Sequence, residues 1–300
     1  MAWVFLAIGS HFFWGLTNIF EKIIVDKKVK NPLVYITYAF FFSWLGVFLL
    51  PLTDWVIYDI LTIFWIAVAS LGFFLGSIFY IKALKLEEVS RINILWNLIP
   101  IFSFFGAWVF IGEKLFLHEL VAFGFLMLGG FIASLHAQKS SRLRLSRAFF
   151  IMVIACAFFA VYDIVLRYLT LQGHNFLSLS IWGSCFLTLY AVIMFFSKNF
   201  RKEFLSEKIL FEKKFFFFIL FLALISKIGT ILNTWAISLG PIALVNAMEG
   251  FQALFVFIIA ILFTWFLPKW IKEEVDRKNL SLKLTSFILL VAGILILFLG

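Results

Sequence analysis

Residues 76–100 read GSIFYIKALKLEEVSRINILWNLIP, and residues 229–253 read GTILNTWAISLGPIALVNAMEGFQA. Laid over each other without gaps, Gly76 meets Gly229, Ala83 meets Ala236, Leu86 meets Leu239 and Asn93 meets Asn246. Each stretch reads as an apolar helix, a turn a few residues long, and a second apolar helix carrying amides. A repeat of this length in so apolar a chain points to two related halves with a site between them. The second stretch also carries two charges at membrane depth, Lys227 just ahead of it and Glu249 inside it.

The surrounding composition makes the bilayer the solvent. Of 300 residues 64% are hydrophobic, 43 are Phe, and the mean hydropathy is +1.09. Only 14% are charged, against roughly a quarter in a soluble domain. The net charge of +9 does not point to nucleic acid, because the cations lie in short loops between apolar runs. The apolar start, MAWVFLAIGSHFFWGL, lacks a basic n-region and a small-residue cleavage site and reads as a first membrane helix. Cys156 and Cys185 fall inside apolar runs and read as small apolar side chains.

A spanning helix takes about 20 apolar residues. Ten such runs are expected, at 3–23, 33–52, 60–82, 89–111, 119–137, 147–169, 176–197, 214–237, 242–266 and 282–299. The fold class is therefore an all-α integral membrane protein of ten transmembrane helices. Residues 1–137 form a first five-helix repeat, 138–146 a cytoplasmic linker and 147–300 a second repeat. Five spans per half give the halves opposite orientation, the inverted-repeat arrangement. Of the 25 lysines and arginines, 22 lie in the odd-numbered loops or the helix ends beside them. Positive loops stay cytoplasmic, which predicts both termini outside an inner (cell) membrane.

The duplicated five-helix unit, Ala83-Leu84-Lys85-Leu86, Pro100-Ile101-Phe102 and Ile111-Gly112-Glu113-Lys114-Leu115 together resemble the EamA-like ten-helix transporters of the drug/metabolite transporter superfamily. The second half departs from that pattern. Ala253 stands where Pro100 does, Trp265 and Phe266 replace Gly112 and Glu113, and charged residues are inserted before span ten. The resemblance implies export or exchange of a small metabolite, amino acid-like or drug-like, by alternating access through a central cavity. Spans one, three, four, six, eight and nine would line it, with five and ten peripheral.

Several polar residues at membrane depth could serve such a cavity, because each costs energy unless it has a partner or a role. Lys227 and Glu249 lie 12 residues before and 10 after Leu239. At about 1.5 Å per residue their depths differ by only about 3 Å, so a pair can form. That pair is either substrate-facing and proton-linked or a fixed bridge closing the hairpin. Asp163 has Arg167 at i+4 on one helix face, giving a local ion pair or a polar cavity wall. His11, Trp14 and Asn18 share a stripe in span one, where His11 is a proton relay or an interhelical hydrogen bond. Asn93, Trp96 and Asn97 in span four, and Asn233, Asn246 and Gln252 in the second half, are cavity lining or polar glue between helices. Trp235 also neighbours polar residues. Glu113 and Lys114 read as a structural pair at a helix end.

There is no Walker-type loop, no H-E-x-x-H pair, no Cys/His cluster and no G-x-S-x-G elbow. No ATP-driven step, metal, cofactor or enzymatic reaction is expected. The expected partners are a small-molecule substrate and the lipid bilayer, with a homodimer left open and no nucleic acid. The competing reading is an intramembrane enzyme or flippase acting on lipid-linked substrates.

Overall fold

The structure, a computed structural model, describes residues 1–53, 56–86, 92, 95–135, 147–266 and 277–300. Those residues form helices and no strand. In chain order the helices are α1 Ala2–Lys27, α2 Pro32–Phe41, α3 Ile60–Leu86, α4 Leu98–Ile111, α5 Leu117–Ser134, α6 Arg147–Leu171, α7 Phe176–Met194, α8 Lys198–Ser206, α9 Lys213–Leu239, α10 Ile242–Ala247, α11 Glu249–Phe266 and α12 Arg277–Leu299. A 3-10 segment, Phe42–Leu52, continues α2. Among the described residues nine stretches are long and apolar enough to cross a membrane, and α4 is a shorter apolar helix. Lipid can hydrogen-bond no backbone group, so a chain this apolar must satisfy its amides within helices.

Three spans depart from the simple runs read from the sequence. Span two is α-helical only as far as Phe41; its second half is 3-10 and contains Pro51. Span nine breaks at Met248 into α10 and α11. In span four Asn97 is a turn and α4 begins after it. Asn97 and Met248 occupy positions of the two repeated stretches that differ by only two residues.

Local caps fix the helix ends. Asn31 and Asn175 each accept a backbone N–H at the start of α2 and α7, supplying orphan donors with an acceptor. Gly112 takes φ +67° and ends α4, a left-handed turn that only glycine adopts cheaply. At the start of α5, Glu119 reaches back to the Phe116 backbone N–H at 2.8 Å.

The halves pack through one another. Span one (α1) lies along span eight (α9) and span nine, while span three (α3) and span four (α4) lie along span six (α6). The span-two segment rests on α7. Helices α5 and α12 pack together away from this centre. Lys283 of α12 donates to the carbonyl of Ala133 and to that of Leu135 at 3.3 Å, so a cation covers the carbonyl end of α5. Ser286 donates to Gly129 O at 2.8 Å. At the crossing of α5 and α11 the backbones of Gly130 and Gly250 approach so closely that a Cβ on Gly250 would lie 2.6 Å from the Gly130 Cα. Small residues at such crossings replace the missing hydrophobic drive between helices in lipid.

Candidate functional site

A cavity of about 560 Å³ lies between the helices of both halves. Span one lines it with His11, Trp14, Thr17, Asn18 and Glu21. Their spacing places all five on one side of α1. Asp163 comes from α6, Lys227 and Thr230 from α9, Asn246 from α10, and Glu249 and Gln252 from α11. Spans three and four add Ser77, Tyr80 and Trp96. Among the described residues none of α5 or α12 lines the cavity, whereas span two supplies a large share of the wall, including Tyr35, Phe48 and Leu49.

The break at Met248 puts Glu249 in the first turn of α11. A helix N-terminus is electrostatically favourable for a carboxylate, and an interrupted span is where a membrane protein can present such a terminus to a cavity. Glu249 is 9% exposed and lines the cavity with no hydrogen bond or ion pair among the described residues. Asp163 lines the same cavity. Asp163 is held more firmly: Asn246 Nδ2 donates to its Oδ2 at 2.9 Å and to Ser103 Oγ at 2.7 Å. Asn246 thus ties span nine to spans four and six on the wall beside Glu249.

Across the cavity, His11 Nδ1 is 3.1 Å from Gln252 Oε1, which joins α1 to α11. The His11 ring also packs edge-on against Trp14, with centroids 5.5 Å apart. A third carboxylate, Glu21, lines the cavity together with Tyr35 and Tyr80. Tyr80 in turn packs on Trp96, and Trp96 on Phe159, at 4.8 and 5.3 Å between centroids.

Several expected pairings do not form. Lys227 does not meet Glu249. Its ammonium donates to the Ser180 carbonyl at 3.1 Å and to the Ser184 hydroxyl, both on α7. Matching depth fixed only the axial coordinate of Lys227; its stem turns instead to the gap left by Gly46, where a Cβ would lie 3.2 Å from the Lys227 Cε. Nor does Arg167 pair with Asp163 one turn away. Arg167 Nε bonds Glu113 Oε2 at 2.7 Å, and Nη1 donates to the carbonyls of Ile237 and Ser238 at 2.8 and 3.3 Å. Glu113 also accepts the Ile242 N–H at 2.8 Å, so its partner is Arg167 rather than Lys114. Together these bonds bolt the end of α4 and the end of α6 to the α9–α10 turn.

Asn97 and Asn233 are buried off the cavity. Asn97 Nδ2 donates to Ser134 Oγ at 3.3 Å, which makes it interhelical glue. Asn233 is 2% exposed and is no part of the wall. Trp235 stacks on Phe176, with centroids 5.1 Å apart, at the protein's outer surface. Asn93 lies outside the described residues. Glu21, Tyr35 and Tyr80 were missed by the sequence reading. Glu21 continues the His11, Trp14, Asn18 stripe by three residues, and that spacing was the available signal.

These features define a multi-pass helical membrane protein with an acidic, aromatic cavity between its two halves. Residues 1–135 match the EamA-like transporter family, which belongs to the drug/metabolite transporter superfamily. One solved structure, titled only "Crystal structure of protein", is similar over 100% of this chain and 96% of its own. Its TM-score is 0.69 at 13% identity, a likeness of fold. No curated protein matches the chain.

Proposed function

We propose that the protein is a secondary transporter of the drug/metabolite class that moves a small metabolite by alternating access, with proton exchange at Glu249 and Asp163 driving the cycle. The observation that carries this reading is the buried, unpartnered Glu249 facing a cavity between the halves. A carboxylate in that position costs free energy, and burying it unpaired gains nothing for stability.

The two halves, 1–137 and 147–300, act as inverted five-helix bundles joined by the 138–146 linker. Their packing supports this: exchanging each span for its counterpart five further on turns the contact of spans one and eight into that of six and three. The same exchange relates four and six to nine and one. Both termini lie outside the cell membrane, as the Lys and Arg distribution favours. The Glu113–Arg167 bolt then closes the outer face and must release for the cavity to open there.

Flux through proteoliposomes with and without a pH gradient tests the coupling. Candidate metabolites come from comparing medium and cytoplasm of cells with and without the protein. The gradient should accelerate flux, and Glu249→Gln and Asp163→Asn should each bring that acceleration to background while downhill exchange persists. Gradient-driven flux that both variants leave intact would remove Glu249 and Asp163 from the coupling step.

A further inference from the structure

The cavity has a side as well as ends. On α9, Phe217, Phe221, Leu224 and Ile228 form one exposed stripe, at 54, 53, 46 and 44%. On the 3-10 segment Trp44, Phe48 and Leu52 do the same, at 48, 69 and 72%. Such stripes are the lipid-facing surfaces of spanning elements. Yet Leu224, Ile228 and Phe48 also line the cavity. A residue can belong to both surfaces only where the two meet.

The meeting place is the seam between the 3-10 segment and α9. The segment rests on α7 and only brushes α9. The two touch at the Phe42–Phe216 ring contact, 5.4 Å between centroids, and where the Lys227 stem passes Gly46. Leu224 and Ile228 lie 11 and 15 residues into a 27-residue helix. That is about 16 and 22 Å along it, near the middle of the hydrocarbon layer.

The polar groups give the sign of what could enter. Among the described residues three carboxylates, Glu21, Asp163 and Glu249, line the cavity against one lysine, Lys227. The Lys227 ammonium is engaged by α7 and Asp163 by Asn246. Glu249, in the first turn of α11 on the cavity wall, keeps its acceptor capacity unspent among the described residues. The wall around it carries Trp14, Trp96, Tyr80, Phe159 and Tyr162, and aromatic faces attract cations.

We infer that the cavity loads sideways, taking an amphipathic organic ammonium from the bilayer through the seam between Phe42–Leu52 and α9. The apolar body rides past Phe48, Leu224 and Ile228, and the cationic head comes to rest on Glu249. This deepens the transport reading of the same cavity and rests on it.

The test uses the full chain in proteoliposomes, carrying Cys156→Ala and Cys185→Ala. A single reporter thiol is placed on the cavity wall by Thr230→Cys, with Ala69→Cys as a buried control off the cavity. The probe is a maleimide carried at the end of an acyl chain. Labelling of Thr230→Cys should outpace that of Ala69→Cys many-fold, and Leu224→Trp should slow it. Alkyltrimethylammonium ions should protect the thiol, with apparent affinity rising about fourfold per added methylene. An alkylsulfonate of equal length should not protect, and Glu249→Gln should abolish protection by the ammonium. Labelling no faster than the control overturns the side entry. Equal protection by the sulfonate overturns the cationic substrate. Protection as expected with no flux of any solute would leave this site standing and remove the transport reading instead.

Discussion

Arg167 spends its guanidinium on three acceptors belonging to two other segments: Glu113, Ile237 and Ser238. Arg167→Met would leave the Glu113 carboxylate, about 11% exposed, with only the Ile242 N–H. Removing one partner of a buried pair costs about 3 kcal/mol, so the variant's melting temperature in detergent should fall clearly. Arg167→Lys should recover only part of the loss, because an ammonium cannot fork to several acceptors as a guanidinium does. Melting unchanged in Arg167→Met would mean that water substitutes for the guanidinium at this end. A second titratable residue lies at the rim. Asp59 accepts the Thr62 hydroxyl and backbone N–H before α3, and these bonds hold its carboxyl below the usual carboxylate range. With the folded value lowered, its contribution to stability is present above the unfolded value, about pH 4, and fades as pH falls through the folded one. Asp59→Asn should remove that acid-side component from thermal melts taken across that range. Single residues were legible where a periodic stripe carried them, as with His11, Trp14 and Asn18. Partner choice was not legible, because sequence spacing gives a residue's depth in the bilayer and leaves its direction around the helix free.

Span two shows the same limit for a whole element. Its apolar run is expected at 33–52, and in the structure Pro32–Leu52 is a stretch long and apolar enough to cross a membrane. Composition did not indicate that the run changes from α to 3-10 at Phe42. Extended 3-10 runs are uncommon and mark strain or a hinge. Here the segment is held by a close approach: a Cβ on Gly46 would lie 2.5 Å from Ser184 Oγ and 2.8 Å from its Cβ. Gly46→Leu would push the segment off α7 and displace the Lys227 stem. Thermal stability should drop, and acyl-borne maleimide should reach Thr230→Cys faster as the seam widens. A stable Gly46→Leu protein with unchanged labelling would show that the contact with α7 does not set the seam. The breaks at Asn97 and Met248 were half visible. Asn97 stands at the first break and Asn246 two residues before the second, but amides inside apolar helices read equally well as glue, and only the chain path distinguishes them. Asn97 donates to Ser134 of α5; Asn246 donates to Asp163 on the cavity wall.

For the whole molecule, a transport cycle requires that the bolt at one end and the cavity at the centre be alternately engaged. The Glu113–Arg167 bond joins a span of the first half to one of the second, and the α9–α10 turn is drawn into it. If the halves rock about the cavity, this junction is the part that must part on the face where the termini lie. A thiol cross-linker bridging Glu113→Cys and Ser238→Cys, in the background without Cys156 and Cys185, should therefore stop flux. On the seam, Ile228 lies 11 residues, about 16 Å, before the end of α9 at that turn. Alkylammonium protection of Thr230→Cys should consequently persist in the cross-linked protein, and reduction of a cleavable linker should restore flux. Because substrate binding and gate release are then read in one preparation, a block of both would indicate a collapsed cavity. Flux continuing at full rate through the cross-linked protein would instead place the moving boundary elsewhere, with the bolt serving only to hold the fold.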